Sequence, residues 1–221
     1  MSAVFNHALE RKRKLVEFNP FSTGLRLPIG KASEQSRCFS DEELQKYIEV
    51  LAEEYNPDEP EMTWLPLIMM YSGMRCNEVA QLYSDDLQEI EGLSFFRICM
   101  NVERNQRVKS SVARDVPIHN TLKELGFMQY VEKMRQAGEK QLFLNCRYQA
   151  SPGYYYSNNM STRLNASINL HIAEDKKLRL YSMRKNFRSS LDNIFTEKAV
   201  AAVEGRETTD LGAYQIFLNV P

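Results

Sequence analysis

The 221-residue chain carries 28 basic against 29 acidic side chains, a formal net charge of −1, with 43% hydrophobic and 26% charged residues. Those proportions describe a folded globular chain long enough for one large domain, and they exclude a low-complexity or fibrous protein. No apolar run reaches the about 20 residues of a membrane-spanning helix, residues 1–10 lack a signal-peptide core, and the four cysteines (Cys38, Cys76, Cys99, Cys146) are scattered, with no C-x-x-C pair and no histidine at ligand spacing. The expectation is a cytoplasmic protein with no membrane partner, no disulfide framework and no structural zinc.

In chain order, residues 5–18 read as a helix stopped by Asn19-Pro20, and residues 21–37 have the Gly, Pro and Ser content of a linker. Ser40 with Glu43 forms an S-x-x-E capping box opening a helix whose apolar stripe is Leu44, Ile48 and Leu51. Residues 63–72 are apolar nearly all round, as in a helix at the centre of a core. Gly73 ends that helix, and residues 76–83 start another. Residues 93–102 and 108–119 alternate as two strands joined by the polar turn 103–107. Residues 121–137 read as one helix and 141–144 as an extended piece. From Ser157 onward the chain is mostly helical, with breaks near Lys176 and Gly205. The predicted fold class is mainly α with a small antiparallel β-sheet (α+β).

Bulk charge gives no support for nucleic-acid binding, since the isoelectric point is about 6.4. Basic residues nonetheless concentrate at residues 11–14 and again at Lys176, Lys177, Arg179, Arg184, Lys185 and Arg188, against an acidic stretch at 41–61. A charge run alone describes a solvated helix face.

Four segments carry more. Tyr71-Ser-Gly-Met-Arg-Cys-Asn-Glu-Val-Ala-Gln-Leu-Tyr-Ser-Asp-Asp-Leu87 sets an arginine two residues past a helix-ending glycine, with a glutamate three residues on. Lys109-Ser-Ser-Val-Ala-Arg-Asp-Val-Pro117 places a lysine in the strand pair, a short step before Val116-Pro117. Leu180-Tyr-Ser-Met-Arg-Lys-Asn-Phe-Arg-Ser-Ser-Leu191 centres on Arg184 and Phe187. Val203-Glu-Gly-Arg-Glu-Thr-Thr-Asp-Leu-Gly-Ala-Tyr214 holds Gly205, Arg206 and Tyr214.

In this order and spacing the segments resemble the catalytic domain of the tyrosine recombinases, the phage-integrase family. The resemblance implies the family's catalytic-domain fold and places Arg75 and Arg184 as the two catalytic arginines, with Glu78 as the acidic support of the first. Lys109 takes the hairpin lysine and Tyr214 the nucleophile. Tyr181 and Arg206 stand where the family most often has histidines, and Arg206 lies eight residues before Tyr214 instead of nine. His7, His119 and His171 fall on no family motif. The resemblance also divides the chain into the last helix of a truncated N-terminal core-binding domain (1–20), a linker (21–37) and a catalytic domain with a shortened C-terminal tail (38–221).

The implied function is site-specific DNA recombination, integration or excision for a phage or mobile element, through a 3′-phosphotyrosyl intermediate. The implied partners are double-stranded DNA and other recombinase subunits, a tetramer in the full-length protein. No cofactor is implied, neither metal nor ATP. These residue types suit that reaction. Arginines stay charged and donate directionally to phosphate oxygens. A tyrosyl phosphoester conserves the energy of the broken bond. A lysine can protonate the leaving 5′-hydroxyl. The two departures from histidine leave open a degenerate, DNA-binding module without catalysis.

Overall fold

The computed structural model describes residues 36–90, 92–109, 113–150 and 156–192. All of them lie in one compact unit that begins at Ser36. The expected helix 5–18, most of the linker, Gly205, Arg206 and Tyr214 fall outside the described residues.

Helix α1 (Asp41–Glu53) starts as its capping box dictates: the Ser40 hydroxyl accepts the Glu43 amide at 3.2 Å and the Glu43 carboxylate accepts the Ser40 amide at 2.9 Å. Helix α2 (Glu61–Ser72) is enclosed on every side, with Trp64, Leu65, Leu67, Ile68 and Met69 all buried. It therefore forms the axis on which the other elements pack. Gly73 closes it in the left-handed conformation at φ 62°, its amide bonded to the Met69 carbonyl at 3.0 Å. Helix α3 (Cys76–Ala80) follows at once and is shorter than the sequence pattern suggests.

A three-stranded antiparallel sheet comes next, in the order β1 (Leu87–Ile90), β2 (Leu93–Ile98), β3 (Arg114–Pro117). Phe96 stands opposite Leu87 on one side and Val116 on the other, and all three are buried against the helices. Two sequence expectations change here. The strand pair is shorter than predicted, because after Ile98 the chain leaves the ladder for a loop pinned by its own bridge between Asn101 and Gln106. The predicted helix 121–137 is two helices, α4 (Asn120–Glu124) and α5 (Phe127–Gln136), broken where Gly126 turns left-handed at φ 93°.

Helices α6 (Asn158–His171) and α7 (Tyr181–Asp192) are the last of the described elements. Phe127 links helix and sheet, its ring 5.1 Å from Trp64 and 5.8 Å from Phe96. The last described helix is tied back to the first segment: Asn186 accepts the Phe39 amide and donates to the Phe39 carbonyl, both at 2.8 Å. The expected class, mainly helical with a small antiparallel sheet, is the observed one. Among the described residues no helix is long and apolar enough to cross a membrane.

Candidate active site

Among the described residues, α7 meets the turn between α2 and α3. Gly73 is glycine for two reasons. Its backbone is left-handed, and a Cβ there would lie 2.3 Å from the ring of Phe187 on α7. That close approach lets Arg184, also on α7, donate a guanidinium N–H to the Gly73 carbonyl. Arg184 is 3% exposed. Two residues beyond Gly73, Arg75 occupies the N-cap of α3 with extended backbone (φ −75°, ψ 146°). Two arginines remote in sequence are thus brought to one turn.

Glu78 holds the first of them. One of its oxygens, Oε2, accepts the Arg75 backbone amide at 2.9 Å, and Oε1 accepts the Arg75 side chain at 2.9 Å. The same carboxylate takes a bidentate pair from Arg114 on β3, at 2.7 and 3.2 Å. Arg114 is 1% exposed, Glu78 2% and Arg75 24%, so the cluster runs from the interior to the surface. Burial works against a charged Glu78. The bonds and charge of Arg114, together with the amide and charge of Arg75, outweigh it and hold the carboxyl below the usual glutamate range.

Lys109 is exposed, in the loop between β2 and β3 and next to the buried Val108. That loop is fastened to the end of α3 by Gln81. The Gln81 amide donates to the Arg107 carbonyl at 3.2 Å and accepts the Arg107 amide at 3.1 Å. Gln106 adds bonds to the Gln81 carbonyl at 2.9 Å and to Asp86 at 2.7 Å. Tyr181 opens α7 one turn before Arg184 and is 53% exposed.

Of the residues predicted for the site, Arg75, Glu78 and Arg184 gather at one turn, and the loop carrying Lys109 is anchored to the same short helix. Two side chains that sequence reasoning missed, Arg114 and Gln81, make these connections. Of the histidines, His119 caps α4 by accepting the Thr121 amide at 3.2 Å and stacks on Tyr71, while His171 lies 3.2 Å from Glu54.

No protein-family model matches the sequence, and no curated protein sequence does. Solved structures match the fold. The XerH site-specific recombinase bound to its difH substrate in a pre-cleavage complex aligns over 87% of this chain and 52% of that one, with TM-score 0.57 and 18% identity. The Tn1549 transposon integrase in complex with transposon right-end DNA aligns over 100% and 72%, with TM-score 0.62 and 15% identity. A lambda integrase tetramer bound to a Holliday junction aligns over 94% and 56%, with TM-score 0.56 and 13% identity. The chain spans about half the length of XerH. It has the tyrosine-recombinase catalytic-domain fold.

Proposed function

We propose that the chain is the catalytic domain of a site-specific DNA recombinase that cleaves and rejoins strands through tyrosine. One observation carries this reading: Arg184 donates to the Gly73 carbonyl on the turn that launches Arg75, so the fold ties one arginine to the backbone beside the other. The likeness to recombinases whose structures hold DNA supports it.

In the proposed reaction Arg75 and Arg184, with Arg206, bind the non-bridging oxygens of the scissile phosphate. There they meet the charge that grows as phosphorus becomes five-coordinate; one preorganised donor of this kind is worth about 3–4 kcal/mol. The Tyr214 oxygen attacks phosphorus as its proton passes to water, the bond to the 5′-oxygen breaks, and Lys109 protonates that oxygen. Reversal by a 5′-hydroxyl of another strand reseals the DNA. Tyr181 offers one hydroxyl donor to the same phosphate.

The test is covalent trapping on nicked duplexes drawn from the DNA flanking the gene. Wild-type protein is expected to form a denaturant-stable adduct. Tyr214→Phe is expected to abolish it with DNA binding kept, and Arg75→Ala or Arg184→Ala to slow it by about 10²-fold or more. An adduct that survives Tyr214→Phe overturns the assignment of the nucleophile. The second reading, a DNA-binding module without chemistry, is favoured by Tyr181 and Arg206 replacing histidines. It wins if duplex binding is retained and no adduct forms.

A further inference from the structure

The Glu78 carboxylate serves two guanidinium groups, one facing out and one sealed inside. Each of its oxygens is shared: Oε1 accepts from the side chains of Arg75 and Arg114, Oε2 from the Arg75 backbone and from Arg114. A lone Arg75–Glu78 pair would sum to zero charge and could close into a fork-to-fork pair that turns the guanidinium inward. Two arginines on one carboxylate sum to +1. The outer member is the more exposed, 24% against 1%, so Arg75 is the one of the two that a ligand can reach.

We propose that Arg114 is a positioning residue for Arg75: it holds and neutralises Glu78 from the inside, so that Glu78 seats Arg75 without cancelling its charge. This rests on the strand-cleavage reading given above. The fold fixes Arg114 for the task. Arg114 pairs with Ile98 in the β2–β3 ladder, and the two-residue period of β3 sends its side chain to the same buried face as Val116. A lysine there would keep the charge and lose the two-point grip.

The experiment compares Arg114→Met and Arg114→Lys, alone and combined with Arg75→Ala, in single-turnover adduct formation on the nicked duplex. Arg114→Met is expected to slow cleavage by about 10²-fold and Arg114→Lys by about tenfold. In the Arg75→Ala background either change is expected to alter the residual rate by less than about twofold, because the route to the phosphate is already gone. Equal losses in both backgrounds, or an unchanged rate in a folded variant, overturn the proposal. If Arg114→Met does not fold, the Lys variant supplies the same comparison. A readout independent of catalysis is the Arg75 Nε–Hε resonance in 15N-arginine-labelled protein, assigned by its loss in Arg75→Lys. It is expected to be sharp in wild type and broadened in Arg114→Lys, and an unchanged line overturns the proposal. Absence of any wild-type adduct would instead defeat the cleavage reading, with this resonance still deciding the role of Arg114.

Discussion

Two buried glutamates have pKa values shifted in opposite directions. Glu61, at the start of α2, is fully enclosed, its two carboxylate oxygens have no hydrogen-bond partner among the described residues, and burial raises its pKa. A carboxyl raised in the folded state contributes stability that is intact at low pH. That contribution is lost as pH rises from about 4.3, where an unfolded glutamate ionises, through the folded pKa. Glu61→Gln is therefore expected to stabilise the protein near pH 8, by about 1 kcal/mol or more, with the gap closing toward pH 4. Urea titrations across that range check it, and a gap independent of pH would remove ionisation as the cause. Glu78 behaves in reverse. Its pKa is lowered, so its contribution is present at neutral pH and is lost as pH falls through the folded value. Glu78→Gln leaves Arg114 buried without its counter-charge and is expected to cost about 3–5 kcal/mol at pH 7, most of it gone in acid. The Arg75–Glu78 relation was legible in sequence, because three residues on a helix start are neighbours by geometry alone. Arg114 was not. It reaches Glu78 across 36 residues, and no local pattern in the strand announces the pair.

Among the elements, the α2–α3 turn is the least tolerant. Gly73→Ala would place a side chain in the left-handed region at a cost of about 1–2 kcal/mol and drive it into Phe187, adding about 1–3 kcal/mol of overpacking. Phe187→Ala in the same chain is expected to relieve only the steric share, leaving the backbone share. Thermal denaturation of the single and double variants measures the two, and full rescue would show that the left-handed backbone is cheap here. Helix starts were well marked in the sequence: Ser40 caps α1 by a box visible in four letters. Strand β1 was invisible. Of its four residues only Leu87 is buried, so there was no alternation to detect. The split of α4 from α5 was missed because apolar residues recur at helical spacing on both sides of Gly126, and only the backbone there betrays the break.

At the scale of the molecule, the site depends on pieces from both ends of the described chain. Helix α7 is tied to Phe39 through Asn186 and to Gly73 through Arg184. Release of this helix therefore breaks ties to two separate parts of the chain. Trp64, the single tryptophan, sits on that helix, and Cys146, 1% exposed, lies in the segment following α5. The loss of Trp64 fluorescence and the appearance of Cys146 to thiol reagents are expected to follow one urea transition, as in two-state unfolding. Separated midpoints would show that the unit melts in parts. The fold class was legible because a fully apolar helix, amphipathic neighbours and one strand pair admit few layer arrangements. The meeting of Arg184 with Gly73 was not, since it depends on how two remote helices pack.

The fastening of the lysine loop has a kinetic side. Arg107 is bonded by the two ends of one side-chain amide, Gln81, much as a neighbouring strand would bond it, yet it lies outside the ladder. A strand opens with its sheet, whereas a single side chain can let go by rotating. The Arg107 amide proton is therefore expected to exchange with solvent faster than those of the ladder formed by Phe96 and Val116, and to lose most of its protection in Gln81→Ala while the ladder keeps its own. The Lys109 end of the loop would then loosen many times for each unfolding of the domain while Gln106 still holds its base to Gln81 and Asp86, so under the proposed reaction position 81 would set how freely the lysine moves without touching a charged group.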